Sequence, residues 1–444
     1  MRVHYHTFGC KANQYDTERM RQEAEARGER TTGSRSDADV VVVNTCTVTN
    51  QADAEARRFI RRVHRERPET RIVVAGCSAA LREAAYRAMP GVVDVVPGHD
   101  PVRVASGISA GPRLAQLELR SGLERIDTEP IGGALLRRRA GASRGWLKVQ
   151  DGCDRKCSFC ATRLARGASR SRPPDEVVAE ARLLSAEHAE LVVTGIHIGH
   201  YGVDLAPRST LADLCARLLE EVPGPRFRLG SVEATEVDDD LLDLLARSDG
   251  RLAPHLHMPL QSGADPVLRR MRRWHTREQY RARTLEIAER VAPLGLGADV
   301  ITGFPGETEA DHEATRALIE ELPFTYLHVF PYSPRAGTAA TELPDPVPQR
   351  VAGERARELR ELAERKGREH RVRRSGGAAS VVLEGEGGSA LTGDYLRVEV
   401  GAGAESVAPD ARANGRAGLF AVTLLGDGDH LYIDPPRDSS RIRA

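Results

Sequence analysis

From Arg2 to Val96 the sequence alternates short apolar runs with longer helical patterns, and a cysteine stands just past each of the first three runs. Residues 2–7, 40–43, 72–75 and 92–96 read as buried strands, and residues 14–26, 51–64 and 79–89 as the helices between them. Such alternation requires a parallel α/β sheet. Parallel strands put their carboxyl ends on one rim, where open sheets bind ligands. Cys10 in Gly9-Cys10-Lys11, Cys46 in Asn44-Thr45-Cys46 and Cys77 in Gly76-Cys77-Ser78 are therefore expected to converge, although they are distant in sequence. Unrelated core cysteines have no reason to choose the same end of successive strands, so the expected ligand of this trio is a metal or cluster.

A second trio lies in Asp151-Gly152-Cys153-Asp154-Arg155-Lys156-Cys157-Ser158-Phe159-Cys160, a Cys-x3-Cys-x2-Cys spacing. Three thiolates on one loop hold three irons of a cubane cluster and leave the fourth without a protein ligand. A structural zinc site closes its shell with four ligands, and the nearest further candidate, His188, lies beyond an expected helix. The seventh cysteine, Cys215, sits among Leu211, Leu214, Leu218 and Leu219 at helical spacing and reads as an inert buried thiol.

The alternation weakens over residues 110–142, where Ile131-Gly132-Gly133 and Arg137-Arg138-Arg139 mark an irregular connection. It returns with expected strands at 146–150, 191–194, 226–230, 255–258, 298–301 and 325–330, each followed by a helical pattern. Six β/α units imply a partial barrel, with the Cys153 loop after its first strand at the carboxyl-terminal face. Beyond Arg374 short alternating runs imply a small antiparallel β-barrel. The expected domains are 1–125, a linker at 126–142, a barrel at 143–372 and the β domain at 373–438.

Lys plus Arg and Asp plus Glu both total 64, so nucleic-acid binding must come from local patches. Only Lys11, Lys148, Lys156 and Lys366 are lysines; arginine clusters are then weak evidence of phosphate sites. No run approaches membrane-spanning length, and the odd cysteine count without an apolar leader points to a reducing, cytoplasmic setting rather than disulfides.

The Cys-x3-Cys-x2-Cys loop resembles that of the radical S-adenosylmethionine (SAM) superfamily. The rest of the chain resembles one branch of it, the methylthiotransferases. Within the branch, the sequence from Thr7-Phe8-Gly9-Cys10 to Tyr15-Asp16, Asn44-Thr45-Cys46-Thr47-Val48-Thr49 and Thr194-Gly195-Ile196-His197 are most similar to the tRNA N6-threonylcarbamoyladenosine type. So are Ser231-Val232-Glu233-Ala234-Thr235-Glu236, His255-Leu256-His257-Met258-Pro259-Leu260-Gln261-Ser262-Gly263 and the stretch from Asp299 to Thr308. The resemblance implies an N-terminal domain with an auxiliary cluster on Cys10, Cys46 and Cys77, a radical-SAM barrel with a cluster on Cys153, Cys157 and Cys160, and a C-terminal TRAM domain. It implies two [4Fe-4S] clusters and SAM as cofactors. The implied activity is methylthiolation of C2 of N6-threonylcarbamoyladenosine at tRNA position 37. One SAM methylates sulfur at the auxiliary cluster, and another yields the radical that removes the C2 hydrogen.

Strand-end position and superfamily analogy assign SAM contacts to Thr194, Gly195, Glu233 and Gln261, with Glu233 alternatively paired to an arginine. Arg166, Arg170 and Arg172 are expected to meet phosphates, while residues 349–374, with ten basic and five acidic positions, read as a solvated helix. Two departures stand out: Ala161-Thr162-Arg163 replaces the usual bulky apolar residues and proline, and residues 375–434 carry nine acids against Arg397, Arg412 and Arg416. Such a domain is an odd RNA clamp. Expected partners are tRNA and an electron donor such as a flavodoxin or ferredoxin, with no membrane, for a monomer. Rival readings are methylthiolation of a ribosomal protein or another adenosine-37 derivative, and a non-enzymatic iron–sulfur carrier or RNA-binding scaffold.

Overall fold

The computed structural model describes residues 1–109, 134–385, 388–401, 418–434 and 442. The Ile131-Gly132-Gly133 part of the expected connection lies outside the described residues, as do Glu386, Arg412 and Arg416. The chain forms two compact units: Met1–Leu136 with Gln150–Arg172 and Ser333–Thr341, and Arg137–Val149 with Pro173–Tyr332 and Glu342–Ala444.

The first unit contains strands β1 (Arg2–Thr7), β2 (Arg30–Thr31), β3 (Val40–Thr45), β4 (Arg71–Gly76) and β5 (Val92–Pro97). They pair in parallel in the order β2-β1-β3-β4-β5. Successive side chains of β3 alternate between faces, as a pleated strand requires. Val40 and Val42 pack with Val3, Met20, Val104 and Ile108 on one side, and Val41 and Val43 with Ile60, Val63 and Tyr86 on the other. Both faces are thus covered, which explains the run of four valines that opens β3. The helices are α1 (Lys11–Ala26), α2 (Asn50–Glu66), α3 (Cys77–Leu81), α4 (Glu83–Arg87) and α5 (Pro101–Ser109). The single helix expected at 79–89 is two, parted where Arg82 leaves helical backbone angles (φ −137°, ψ 36°). The strand order reverses direction at β1, so β1 and β3 flank a crevice at their carboxyl ends.

The second unit holds the barrel strands β6 (Arg144–Lys148), β9 (Glu190–Thr194), β10 (Arg226–Leu229), β11 (His255–His257), β12 (Gly295–Thr302) and β13 (Tyr326–Pro331). The short pair β7 (Gln150–Asp151) and β8 (Arg170–Ser171) belongs to the first unit. The barrel strands form two parallel three-stranded sheets, β10-β9-β6 and β11-β12-β13, linked by parallel bridges from Phe227 to Leu252 and from Ser231 to His257. The result is the expected partial (β/α)6 barrel. Helices starting after Thr210, Thr276 and Thr308 each begin with a reciprocal capping box, which satisfies amide groups left open at a helix start.

The C-terminal strands are β14 (Ala378–Glu384), β15 (Ser389–Thr392), β16 (Arg397–Val400), β17 (Leu419–Thr423), β18 (Leu425–Gly426) and β19 (Leu431–Ile433). They make one curled sheet in which β16 and β19 pair in parallel and the other pairings are antiparallel. This sheet docks on the first residues of the barrel strands. Arg226 donates to the carbonyls of Ser380 (2.9 Å) and Leu391 (3.2 Å), and Arg228 to those of Gly393 (2.8 Å) and Thr392 (2.9 Å). Both also donate to the buried Glu190 carboxylate, at 2.6 Å and 2.9 Å. Tyr395 stacks on His255 at 4.3 Å, and a side chain at Gly295 would stand 2.1 Å from the Asp394 carbonyl. The small domain therefore plugs the amino-terminal mouth of the barrel.

The helix Gln349–Arg374 departs from the expected solvated form. It buries Leu359, Leu362, Arg355, Lys366 and His370 among others, because its charged side chains find fixed partners. Arg355 pairs with Glu307 at 2.9 Å, and His370 and Arg374 meet Asp394 at 3.1 Å and 2.8 Å.

Glu190→Gln leaves two buried guanidinium groups without their carboxylate, so it is expected to cost about 3–5 kcal/mol. Calorimetry should show a lowered unfolding temperature, and limited proteolysis should release the C-terminal domain; wild-type behaviour in both contradicts the docking account. Burial disfavours the Asp394 carboxylate, yet His370 and Arg374 overcome it and hold its pKa at about 2. A group so depressed contributes stability above the unfolded carboxylate pKa of about 3.9 and loses it as pH falls towards 2. Acid titration of Asp394→Asn should therefore show a shallower loss of stability across that window than wild type.

Candidate functional site

Each of the first three cysteines sits where a strand ends. Cys10 precedes the first turn of α1, Cys46 follows β3, and Cys77 opens α3 directly after β4. Gly9 and Gly76 precede two of them with φ of +99° and +101°, a conformation open to glycine and costly for other residues. Space makes the same demand: a Cβ on Gly9 would lie 2.6 Å from the Cys46 sulfur, and one on Gly76 would lie 2.3 Å from Asn44 Oδ1. The backbone between them is fixed by side chains. Asn13 Nδ2 donates to the carbonyls of Phe8 and Thr45 at 2.9 Å each, and Thr45 Oγ1 donates to the Ala75 carbonyl at 2.6 Å. Behind α3, the Asp53 carboxylate accepts from Ser78 and Tyr86.

The structure brings the three thiols within electrostatic reach of one another. Burial pushes the Cys77 thiol up to about 12, and the neighbouring Cys46 and Cys10 add to the rise against the opposing pull of Arg166. Burial also raises Cys46. Buried thiols of this kind ionise readily only when a metal replaces the proton. His99 Nε2 lies 3.6 Å from Cys77 Sγ but also 3.0 Å from Arg166 Nη2. A guanidinium donates only, so His99 Nε2 shares the two N–H groups of Arg166 Nη2 with Asn13 Oδ1 and Asp16 Oδ2. The donor set is three sulfurs, which fits a cluster with one open iron.

The second trio lies on a loop held in the same unit. Gly152 has φ +69°, and a Cβ there would stand 1.8 Å from the Ala168 carbonyl oxygen, so the two ends of the loop touch backbone to backbone. Cys153 N–H donates to the Gly167 carbonyl at 3.1 Å, and Gln150 Nε2 donates to the carbonyls of Asp151 (2.8 Å) and Gly152 (2.7 Å). Ala340 N–H donates to the Ser158 carbonyl at 2.8 Å, tying the 333–341 segment to the loop. Burial pushes Cys153 up to about 12, with Cys160 and Cys157 contributing as neighbouring thiols. His188, the candidate fourth ligand, accepts from the Arg139 N–H through Nε2 at 2.9 Å, so it is engaged elsewhere. Cys215 is buried in the helix Leu211–Glu221, where burial raises its thiol to about 12, as an inert thiol requires.

The arginines that follow the loop are placed otherwise than expected. Arg166 and Arg172 are buried and bonded to protein groups, Arg172 to Tyr15 Oη at 3.3 Å, so neither is open to a phosphate. Arg166 binds Asp151 at 2.9 Å to both carboxylate oxygens, Asp16 at 2.9 Å and Asn13 at 2.6 Å. Burial opposes its charge, and Asp151, Cys77 and Asp16 outweigh that.

In the barrel, Thr194 ends β9 and Gly195 opens the following turn. Glu233 is paired with Arg273. Gln261 is buried with a left-handed φ of 65°; its backbone N–H donates to the Asp299 carbonyl at 2.8 Å, while its side-chain amide makes no hydrogen bond among the described residues. Sequence reasoning missed a set on three adjacent strands: His257 and His328 stand 3.2 Å and 3.3 Å from Asp299 Oδ1. Burial raises Asp299, but the two histidines overcome this and hold it well below the usual carboxylate range. It also missed His197, 2.9 Å from Glu236. The period-2 placement of His255 and His257 was the available signal.

If each trio holds a cluster, Gly152→Ala is expected to lose the iron of the second and keep that of the first. Iron per chain after anaerobic reconstitution should fall by about half; wild-type iron content would contradict the role given to Gly152.

The description "Uncharacterized protein family UPF0004" matches residues 2–98, which include Cys10, Cys46 and Cys77. The Radical SAM superfamily matches residues 147–319, which include Cys153, Cys157 and Cys160. The threonylcarbamoyladenosine tRNA methylthiotransferase MtaB of Bacillus subtilis (strain 168) is 38% identical over 382 residues, covering 83% of this chain and 81% of that protein. MtaB of Thermotoga maritima is 33% identical over 390 residues, 86% of each chain. A tRNA-2-methylthio-N(6)-dimethylallyladenosine synthase of Sorangium cellulosum (strain So ce56) is 36% identical over 405 residues, covering 85% of this chain and 81% of that one. In fold the chain is similar to the radical S-adenosylmethionine methyltransferase TsrM of Kitasatospora setae, solved with cobalamin and a [4Fe-4S] cluster. That likeness has a TM-score of 0.55 at 17% identity and covers 74% of this chain and 72% of the other. With its two thiol trios inside the two matched regions, the chain belongs to the tRNA methylthiotransferase family of radical SAM enzymes.

Proposed function

We propose that this chain methylthiolates C2 of N6-threonylcarbamoyladenosine at position 37 of tRNA. Methylthio transfer to tRNA by radical SAM chemistry goes with the family; the choice of nucleoside, the two [4Fe-4S] clusters and the SAM contacts are the finer reading. The observation that carries it is the pair of three-cysteine sets, in each of which the thiols act on one another electrostatically. In this reading Cys10, Cys46 and Cys77 hold the auxiliary cluster, and Cys153, Cys157 and Cys160 hold the radical-generating one. The clusters supply one-electron chemistry and a carrier for sulfur, which protein side chains lack.

The chain's own residues place and shield. Gly9, Gly76 and Gly152 hold the backbone next to a cysteine of each trio at positions where a Cβ would strike a neighbour. Thr194, Gly195, Glu233 and Gln261 are assigned to SAM. Support is strongest at Gln261, whose left-handed backbone costs about 1–3 kcal/mol and whose side-chain amide lacks a protein partner among the described residues. Glu233 is a buried carboxylate paired with Arg273, and burial outweighs that pairing to leave its pKa above the usual carboxylate range. On β13, Phe330 is 40% exposed and His328 is exposed beside it, which offers stacking surface to an unpaired base. No helix among the described residues is long and apolar enough to cross a membrane. The enzyme works as a monomer, reduced by a flavodoxin or ferredoxin, in the cytoplasm.

Mass spectrometry of digested tRNA tests the nucleoside. A deletion strain should lack the 2-methylthio form of threonylcarbamoyladenosine, wild type should restore it, and Cys46→Ala or Cys157→Ala should not. Persistence of that nucleoside in the deletion strain, or loss of the dimethylallyl analogue in its place, overturns the assignment. Gln261→Gly keeps the backbone conformation and removes the amide, so SAM affinity should fall about tenfold, the loss of one hydrogen bond, with iron content unchanged. Equilibrium dialysis that finds unaltered affinity removes Gln261 from the SAM site.

A further inference from the structure

The loop of the second trio reaches into the pocket of the first. Arg166 closes the short helix Thr162–Arg166, which starts two residues after Cys160. Its guanidinium lies among residues of the N-terminal sheet rather than among those of its own loop alone. Nε lies 3.2 Å from Cys77 Sγ, and Nη2 reaches Asn13 Oδ1 at 2.6 Å, Asp16 Oδ2 at 2.9 Å and His99 Nε2 at 3.0 Å. Nη1 binds Asp151, two residues before Cys153, at 2.9 Å. Arg166 is 2% exposed.

We infer that Arg166 is a positioning residue for the N-terminal cluster: it donates a directed, charged hydrogen bond to the Cys77 sulfur from the very loop that carries the other trio. The inference rests on Cys10, Cys46 and Cys77 holding a cluster. Several features separate this contact from an incidental ion pair. The guanidinium is planar and its N–H groups are fixed in direction. Asp151, Asp16 and Asn13 occupy the Nη groups, which aims Nε at the sulfur and nowhere else. All of these partners are protein groups, so the arrangement stands before any cluster is present. An N–H bond to a cluster sulfur and a nearby positive charge both favour the reduced, more negative cluster, so they raise its reduction potential. Ordering of the second loop therefore sets the electronics of the first site. A lysine at this position keeps the charge but cannot reproduce the fork, so it retains the electrostatic part and loses the directed bond.

The test uses the full chain carrying Cys157→Ala, reconstituted with iron and sulfide, so that the N-terminal cluster alone is read. Redox titration followed by electron paramagnetic resonance should give a lower midpoint potential and altered g values for Arg166→Gln than for Arg166, with Arg166→Lys between them. Equal potentials and g values in all three, in proteins of equal iron content and unfolding temperature, overturn the inference and leave Arg166 a structural clamp. A second measurement needs no change at Arg166: in protein labelled with ¹⁵N-arginine, hyperfine spectroscopy of the reduced cluster should show a ¹⁵N coupling in place of the ¹⁴N coupling of the unlabelled sample. Its absence overturns the inference even if the Arg166 variants fail to fold. If the Cys157→Ala protein binds no cluster at all, the failure lies with the reading of the N-terminal trio itself.

Discussion

The placement of sulfur depends on backbone that tolerates no side chain. Gly9, Gly76 and Gly152 each stand immediately before a cysteine in the left-handed region, and at each a Cβ would strike a neighbour. A parallel sheet already collects its strand ends on one rim; these residues turn the chain sharply enough there for the next side chain to face the crevice. The crevice lies where strand order reverses beside β1, between Cys10 and Cys46.

Buried arginines are the second organising element, and they serve two different ends. Arg226 and Arg228 occupy one face of β10 while Phe227 and Leu229 fill the other, and their carboxylate partner is Glu190. They bind backbone carbonyls of the C-terminal sheet, and its acidic Asp394 and Glu384 add ion pairs to His370, Arg374 and Arg144. This gives the acidic domain a role in closing the barrel. Arg166 uses the same chemistry to tie a loop to a thiol pocket.

Much of the fold was legible in the sequence, because it is written in apolar runs. The strands around Val40–Val43 and Ile72–Ala75, and the six barrel strands, follow from periodicity and β-branched composition. What was illegible depends on pairing partners far away in the chain. The two-residue strand Arg30–Thr31 carries no pattern, and alternating runs do not tell that β16 and β19 pair in parallel. Arg166 and Arg172 read as phosphate ligands because, in a chain that uses arginine for nearly every basic position, a buried arginine looks like an exposed one. The helix Gln349–Arg374 read as solvated for the same reason, although Arg355 and Lys366 are buried against fixed acceptors. The cysteines stand out in the sequence by their positions after strands and by their spacing, and the proposal that both trios hold metal rests on that pattern. The His257, Asp299 and His328 group arises from three separate strands, and the spacing of His255 and His257 is its one local trace.

Mössbauer spectroscopy of anaerobically reconstituted protein tests the central claim most directly, by counting cubane clusters in wild type and in variants that each lack one trio. The account predicts two clusters in wild type, one after replacing Cys10, Cys46 and Cys77 by alanine, and one after the same change at Cys153, Cys157 and Cys160. A single cluster in wild type, or a variant that loses both while remaining folded, would contradict it.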